Sequence, residues 1–257
     1  MITKKELQEY ARIKGLNLGN AEKDYLIDIA LKSISENTKN ELVFKGGTCL
    51  YKFHKLPRFS EDLDFSAIDE IDVDRLTNKV ILDFRRFGIN VKQHLKKELH
   101  NSILATLKIE GPLFSKKPTT YASLGMDINK KSQVILKPEI LSFSSIYPEV
   151  PVFHVFCMRK EEIFAEKIRA LLTRKRARDL FDLYFMLEAG VYADREMIQK
   201  KMDYYNEKFE VEKLIRKIAE FEPRWRKEIA GFTSSLPKFE VVHKFVKEKL
   251  LSLYNSH

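Results

Sequence analysis

Residues 45–65 read KGGTCLYKFHKLPRFSEDLDF and hold the strongest chemical signal in the chain. Asp62 and Asp64 are separated by Leu63 and followed by Phe65. On an extended segment alternate side chains point the same way, so the two carboxylates share a face. They then lie roughly 6–7 Å apart along the strand and repel each other unless a cation sits between them. Mg²⁺ is the simplest such cation, because it takes carboxylate and phosphate oxygens. The chemistry implied is metal-assisted phosphoryl or nucleotidyl transfer. Upstream, apolar Leu42, Val43 and Phe44 lead into Lys45, Gly46, Gly47 and Thr48. Most glycine pairs are only turns. A turn at a helix start, however, exposes backbone N–H groups that can hold a phosphate. Thr48 could add a hydroxyl there; Lys45 and Arg58 could add charge or simply be solvated. Asp127, within the strand-like run LGMDIN, is the candidate third metal carboxylate or else an ordinary strand-end aspartate.

A second group of residues follows downstream. Ile163, Phe164, Ile168, Leu171 and Leu172 form a helical apolar stripe. Lys167 is four residues from both Ile163 and Leu171, so it lies on or beside that stripe. A lysine there either extends outward along its aliphatic stem or meets an anion, of which a nucleotide phosphate is one. Glu166 beside it reads as a surface or salt-bridge residue. Residues 180–187, LFDLYFML, carry a single charge, Asp182. A carboxylate in so apolar a segment needs a cationic partner or a functional reason. It could accept hydrogen bonds from Lys167 or hold the reacting group. Asp179 shares its helix face, and Arg178, four residues earlier, could pair with it. The more ordinary alternative is a capping Asp179 with a structural Arg178–Asp182 pair. Arg174, Lys175, Arg176 and Arg178 form a basic run that could grip a triphosphate or an RNA backbone, or could be a solvated loop.

The elements that must position these groups are legible in outline. Helices are expected over 4–16 and 21–36, a short strand over 41–45, a tight turn at Gly46-Gly47 and a brief helix over 48–54. A strand over 63–67 continues from the carboxylates, and a helix over 74–87 stops at Gly88. Strands are expected at 89–95 and 102–110 around a charged connection, 96–100, and again at 121–128 and 152–158. Beyond Met158 the pattern is helical, with helices over 161–173 and 178–189 and two or three later segments. The expected fold is therefore α+β, with an α+β part over 1–158 that includes the N-terminal helices and a helical part over 159–257.

Composition narrows the class. The 257 residues carry a net charge of +9 and are 44% hydrophobic, enough for a real core and suited to an anionic partner such as nucleotide or RNA. A lysine-rich surface serving solubility is the plainer alternative. No apolar run approaches the roughly 18 residues of a membrane span, and the N-terminus has no signal-peptide character. Cys49 and Cys157 lack metal-ligand spacing, and the six histidines show none either, so a reduced, cytoplasmic protein is expected. No G-x-x-x-x-G-K-[ST] sequence is present, which excludes a P-loop enzyme by motif.

The segments KGGT (45–48), RFSEDLDF (58–65), GMDI (125–128), AEKIRALL (165–172) and RARDLFDL (176–183) together resemble the AbiEii/AbiGii family of nucleotidyltransferase-like toxins, which includes the MenT toxins. The resemblance spans residues 45–183 in order. It implies a DNA-polymerase-β-like nucleotidyltransferase core followed by a C-terminal helical domain. It further implies that Asp62 and Asp64 hold Mg²⁺, that Gly46, Gly47 and Thr48 position the triphosphate, that Lys167 contacts a nucleotide phosphate and that Asp182 is the catalytic carboxylate. Members of the family act as the toxin of a toxin–antitoxin or phage-defence pair; some extend the 3′ end of tRNA and some modify a protein. Arg176 stands where a lysine is expected in the last segment. The expected function is Mg²⁺-dependent transfer from an NTP to an acceptor, with tRNA or another RNA first, a cognate antitoxin as partner and no membrane. The alternatives are nucleotidylation or phosphorylation of a protein, or a non-catalytic nucleotide- or RNA-binding module.

Overall fold

The computed structural model describes residues 1–130 and 133–254. The chain divides into two compact units: Met1–Lys55 with Phe59–Met158, and Leu56–Arg58 with Arg159–His257.

The first unit opens with α1 (Lys4–Lys14), started by a Thr3/Glu6 capping box and ended by Gly15 in the left-handed region. Then come α2 (Leu18–Asn37), capped by the Asn17 side chain, and β1 (Leu42–Lys45). Strand β1 runs without a loop into α3 (Gly46–Phe53). The glycine pair is thus the first turn of a helix and not the separate tight turn its composition suggests. Next follow β2 (Leu63–Ala67), α4 (Val73–Arg86), β3 (Val91–Glu98), β4 (Ser102–Ile109), β5 (Ala122–Asn129), β6 (Glu139–Phe143) and β7 (Phe153–Cys157). The expected connection over 96–100 is mostly strand, because β3 extends to Glu98. Strand β6 was not expected: in EILSF, exposed Ile140 stands next to half-buried Leu141, so the apolar residues do not alternate although burial does.

The seven strands form one sheet in the order β3-β4-β5-β2-β1-β7-β6. Two neighbouring pairs, β2–β5 and β1–β7, are parallel, and the other four are antiparallel. Burial alternates along β4 and β5. Ile103, Ala105, Leu107 and Ile109 lie opposite Ile128, Met126, Leu124 and Ala122, and all eight are buried. This face packs under α2 and α4, whose Val73, Leu76, Val80 and Phe84 are buried in turn. The residues between them, from Ser102 to Lys108 and from Gly125 to Asn129, are half-buried and form an open face.

The regular elements of the second unit, among the described residues, are all helices: α5 (Lys160–Thr173), α6 (Ala177–Glu188), α7 (Arg195–Asp203), α8 (Val211–Ala219), α9 (Glu222–Ile229) and α10 (Phe239–Tyr254). Four helices thus follow α6 where two or three segments were expected. Helix α5 packs on α6, α7 and α8, and α6 packs on α9 and α10. Among the described residues no helix is long and apolar enough to cross a membrane.

Candidate active site

In the first unit the sheet register brings the sequence-predicted groups together. Lys45 lies opposite Asp64 across β1 and β2, and Asp64 lies opposite Asp127 across β2 and β5. Directly opposed residues of neighbouring strands project from the same face, so Lys45, Asp64 and Asp127 form one row. Asp64 and Asp127 are half-buried and Asp62 is exposed. They sit on the open face, whereas Leu63 and Phe65 point into the core.

Two glycines lie against this row, and Gly46 is the one whose backbone and surroundings both demand it. Gly46 has φ +76, and a Cβ there would lie 2.4 Å from Asp64 Oδ2. A Cβ on Gly125 would lie 3.2 Å from Asp62 Oδ1. Both carboxylates therefore press against bare backbone, and the first turn of α3 begins beside Asp64. Its N-cap residue, Lys45, makes no side-chain capping bond. The Thr48 hydroxyl is fully buried and donates to the Asp62 carbonyl oxygen, which ties the helix start to the carboxylate loop. The Thr48 hydroxyl, expected as a phosphate donor, is engaged with that carbonyl in this structure.

The residues suit a hard divalent cation. Among the described residues no group of three or more Asp, Glu, His or Cys side chains converges to hold a metal by protein ligands alone. Mg²⁺ is commonly held by one or two carboxylates together with substrate phosphates and water, and the Asp62/Asp64 pair beside an uncapped helix start supplies that donor set.

In the second unit a row of alternating charges links α5 and α6. Arg58 donates through Nε and Nη2 to the two Asp182 oxygens at 2.6 and 2.7 Å. Lys167 Nζ lies 2.6 Å from Asp182 Oδ2 and 2.8 Å from Asp179 Oδ1. Arg174 closes the row with two bonds to Asp179 at 2.8 and 2.9 Å. Asp182 is fully buried, and Lys167 and Arg58 nearly so. Burial opposes charge on Asp182, but Arg58 and Lys167 outweigh it and hold the carboxyl below the usual range. Burial likewise opposes charge on Lys167, and Asp179 and Asp182 outweigh it and hold the ammonium above its usual value.

Arg58, and not the Arg178 of the more ordinary alternative, pairs with Asp182, and the Arg178 guanidinium lies 4.9 Å from the centre of the Phe232 ring. The basic run is divided, with Arg174 on Asp179 and Lys175 near Glu220. Glu166 is buried, not a surface residue, and meets Lys201 alongside Glu162. A further buried network escaped sequence reading: Lys52 on α3 bonds Asp24 and Asp28 on α2, and Lys14 and Tyr147 also reach Asp24. Its signal was present, because two aspartates four apart in a helix apolar on every side need the same explanation as Asp182.

The chain belongs to the AbiEii family, described as "Nucleotidyl transferase AbiEii toxin, Type IV TA system", whose profile matches residues 30–245. The family match makes the chain a nucleotidyltransferase, an enzyme that uses an NTP. It is thus a nucleotidyltransferase toxin of a type IV toxin–antitoxin system. Among solved structures it is similar to MenT4, a nucleotidyltransferase toxin from Mycobacterium tuberculosis, with a TM-score of 0.68 at 18% identity over 100% of this chain and 91% of that one. It is also similar to JHP933 from Helicobacter pylori, with a TM-score of 0.60 at 19% identity over 93% of this chain and 94% of that one. At such identities the likeness concerns the fold. No curated protein matches the chain.

Proposed function

We propose that the protein transfers a nucleotide from an NTP to the 3′ end of an RNA, with tRNA the first candidate, in a Mg²⁺-dependent reaction in the cytoplasm. The observation that carries this reading is the row Lys45–Asp64–Asp127 beside the uncapped start of α3. Asp62 and Asp64, and Asp127 beside them, would hold Mg²⁺, which when bound neutralises phosphate charge as the bond to the leaving pyrophosphate lengthens. The backbone N–H groups of Gly46, Gly47 and Thr48 receive triphosphate oxygens, and Lys45 adds a positive charge. Lys167 and Arg58 are the cations proposed for the nucleotide phosphates, with Arg178 as a supplementary contact. Asp182, fully buried with both oxygens engaged, fixes the positions of both cations. Its lowered pKa makes it a weak base, so positioning is its role. RNA is preferred as acceptor because of the net charge of +9. Membership of the toxin family implies a cognate antitoxin.

The test is incubation with total RNA, Mg²⁺ and each α-³²P-NTP in turn, with Asp64→Ala as control. Label in the tRNA band that disappears in the variant, while its melting temperature is kept, is the expected result. Full transfer by Asp64→Ala would remove the carboxylates from the site. Label in protein alone would replace the RNA acceptor by a protein one.

A further inference from the structure

The row of site residues does not stop at Asp127. Across β4 it continues to Leu104, and across β3 to Lys97. The next row runs from Gly125, beside Asp62, through Thr106 to Leu95. The irregularity between Gln93 and Leu95 resets the register, and beyond it Lys92 lies opposite Lys108. The alternation is checked by Lys96, which pairs with Asp74 on α4 and so faces the helix-covered side. Lys92, Leu95 and Lys97 therefore share the open face with the carboxylates, and all three are exposed, Leu95 by 53%.

We infer that the open face of β3, β4 and β5 is the seat of the acceptor, a single-stranded RNA end lying across the strands with its 3′ hydroxyl at the carboxylates. This deepens the RNA-acceptor reading and rests on it. Strands are about 4.8 Å apart, so Lys97 is roughly 10 Å from Asp127 and roughly 14 Å from Asp64 in the backbone. That separation suits a phosphate a nucleotide or two upstream of the reacting end. Lysines at the sheet edge neutralise the RNA backbone and place it without reading sequence. Between lysines and carboxylates lie Leu104, Thr106 and Ser102 on β4, which with Leu95 beside the lysines on β3 form an apolar and hydroxyl-bearing strip suited to bases and ribose. The charge gradient along the face also orients the strand, because the acidic end repels phosphate and admits only a terminus whose charge is met by the cation and the incoming nucleotide. A folded protein acceptor needs no such strip.

The test uses the full chain and a short 5′-labelled single-stranded RNA, read by fluorescence anisotropy over a salt series and by nucleotide transfer. Lys92→Ala/Lys97→Ala and each of its single variants are compared with Lys96→Ala, which removes one lysine charge from the same strand but from the opposite face. The expected result is roughly tenfold or greater weakening in the double variant, with a salt slope smaller by about 0.7 for each lysine removed, and little change in Lys96→Ala. The melting temperature and the NTP-induced thermal shift stay as in the wild type. Wild-type binding and transfer in the double variant would overturn this surface while leaving the RNA acceptor in place. Equal weakening by Lys96→Ala would reduce it to bulk charge and overturn it as well. A wild-type protein that binds no RNA but labels protein would overturn both readings.

Discussion

At the scale of single residues, Gly46 bears two separate demands. Its backbone is left-handed, which costs another residue about 1–2 kcal/mol. Its missing side chain also leaves room for Asp64 Oδ2. Gly15 has the same backbone conformation, φ +63, and nothing within 4 Å. The pair therefore separates strain from site geometry. Gly15→Ala is expected to lower stability by about 1–2 kcal/mol and leave transfer intact. Gly46→Ala is expected to show a similar or larger loss of stability and, in addition, at least a tenfold loss of transfer, because Asp64 must move. Urea titration and turnover of the two variants measure this; equal turnover would mean that the contact with Asp64 has no part in the chemistry.

The elements show what a linear reading captures and what it misses. Strand β2 was legible to the residue, because apolar Leu63 and Phe65 alternate with Asp64 and bound a short run. Helices α5 and α6 were legible from their stripes, and the lone charges Lys167 and Asp182 announced that each needed a partner. Arg58 was not legible as that partner, since 124 residues separate it from Asp182 and the local i, i+4 rule pointed to Arg178. Strand β6 and the Asp24–Lys52 network were missed for different reasons: the apolar residues of the strand do not alternate, and the network is a pairing across elements. The charge row between α5 and α6 makes a pH prediction. The pKa values of Asp179 and Asp182 are lowered on folding, so their contribution is present above the usual carboxylate range, near pH 4, and is lost as pH falls through the lowered values. That of Lys167 is raised, so its contribution is full below the ordinary lysine value and is lost only as pH rises through the raised one. The urea midpoint is expected to be flat from about pH 6 to 9 and to fall below about pH 4. Asp182→Asn, which leaves Arg58 and Lys167 with less countercharge, is expected to cost about 3–5 kcal/mol at neutral pH and to flatten the acid limb. An acid limb unchanged in that variant would assign it to other carboxylates, of which Asp24 is the first candidate.

At the scale of the whole molecule, the net charge of +9 becomes specific only through salt. A polyanionic acceptor releases condensed counterions on binding, so its affinity falls as a power of salt concentration. A protein acceptor has no such atmosphere, and its dependence is shallow. For about four phosphate contacts to a single strand the expected slope is near −2.8, a loss of roughly fiftyfold between 50 and 200 mM KCl. The loss belongs to acceptor binding and not to the bond-making step. Transfer at low RNA concentration is therefore expected to fall steeply over that range, whereas turnover at saturating RNA changes little. Transfer measured in both regimes over a KCl series makes the comparison. A shallow dependence at low acceptor concentration would leave the excess lysine and arginine as a solubilising surface and turn the search to protein acceptors. A steep fall at saturating RNA as well would place the salt-sensitive contact in nucleotide handling, at Lys45, Arg58 or Lys167, and not on the acceptor.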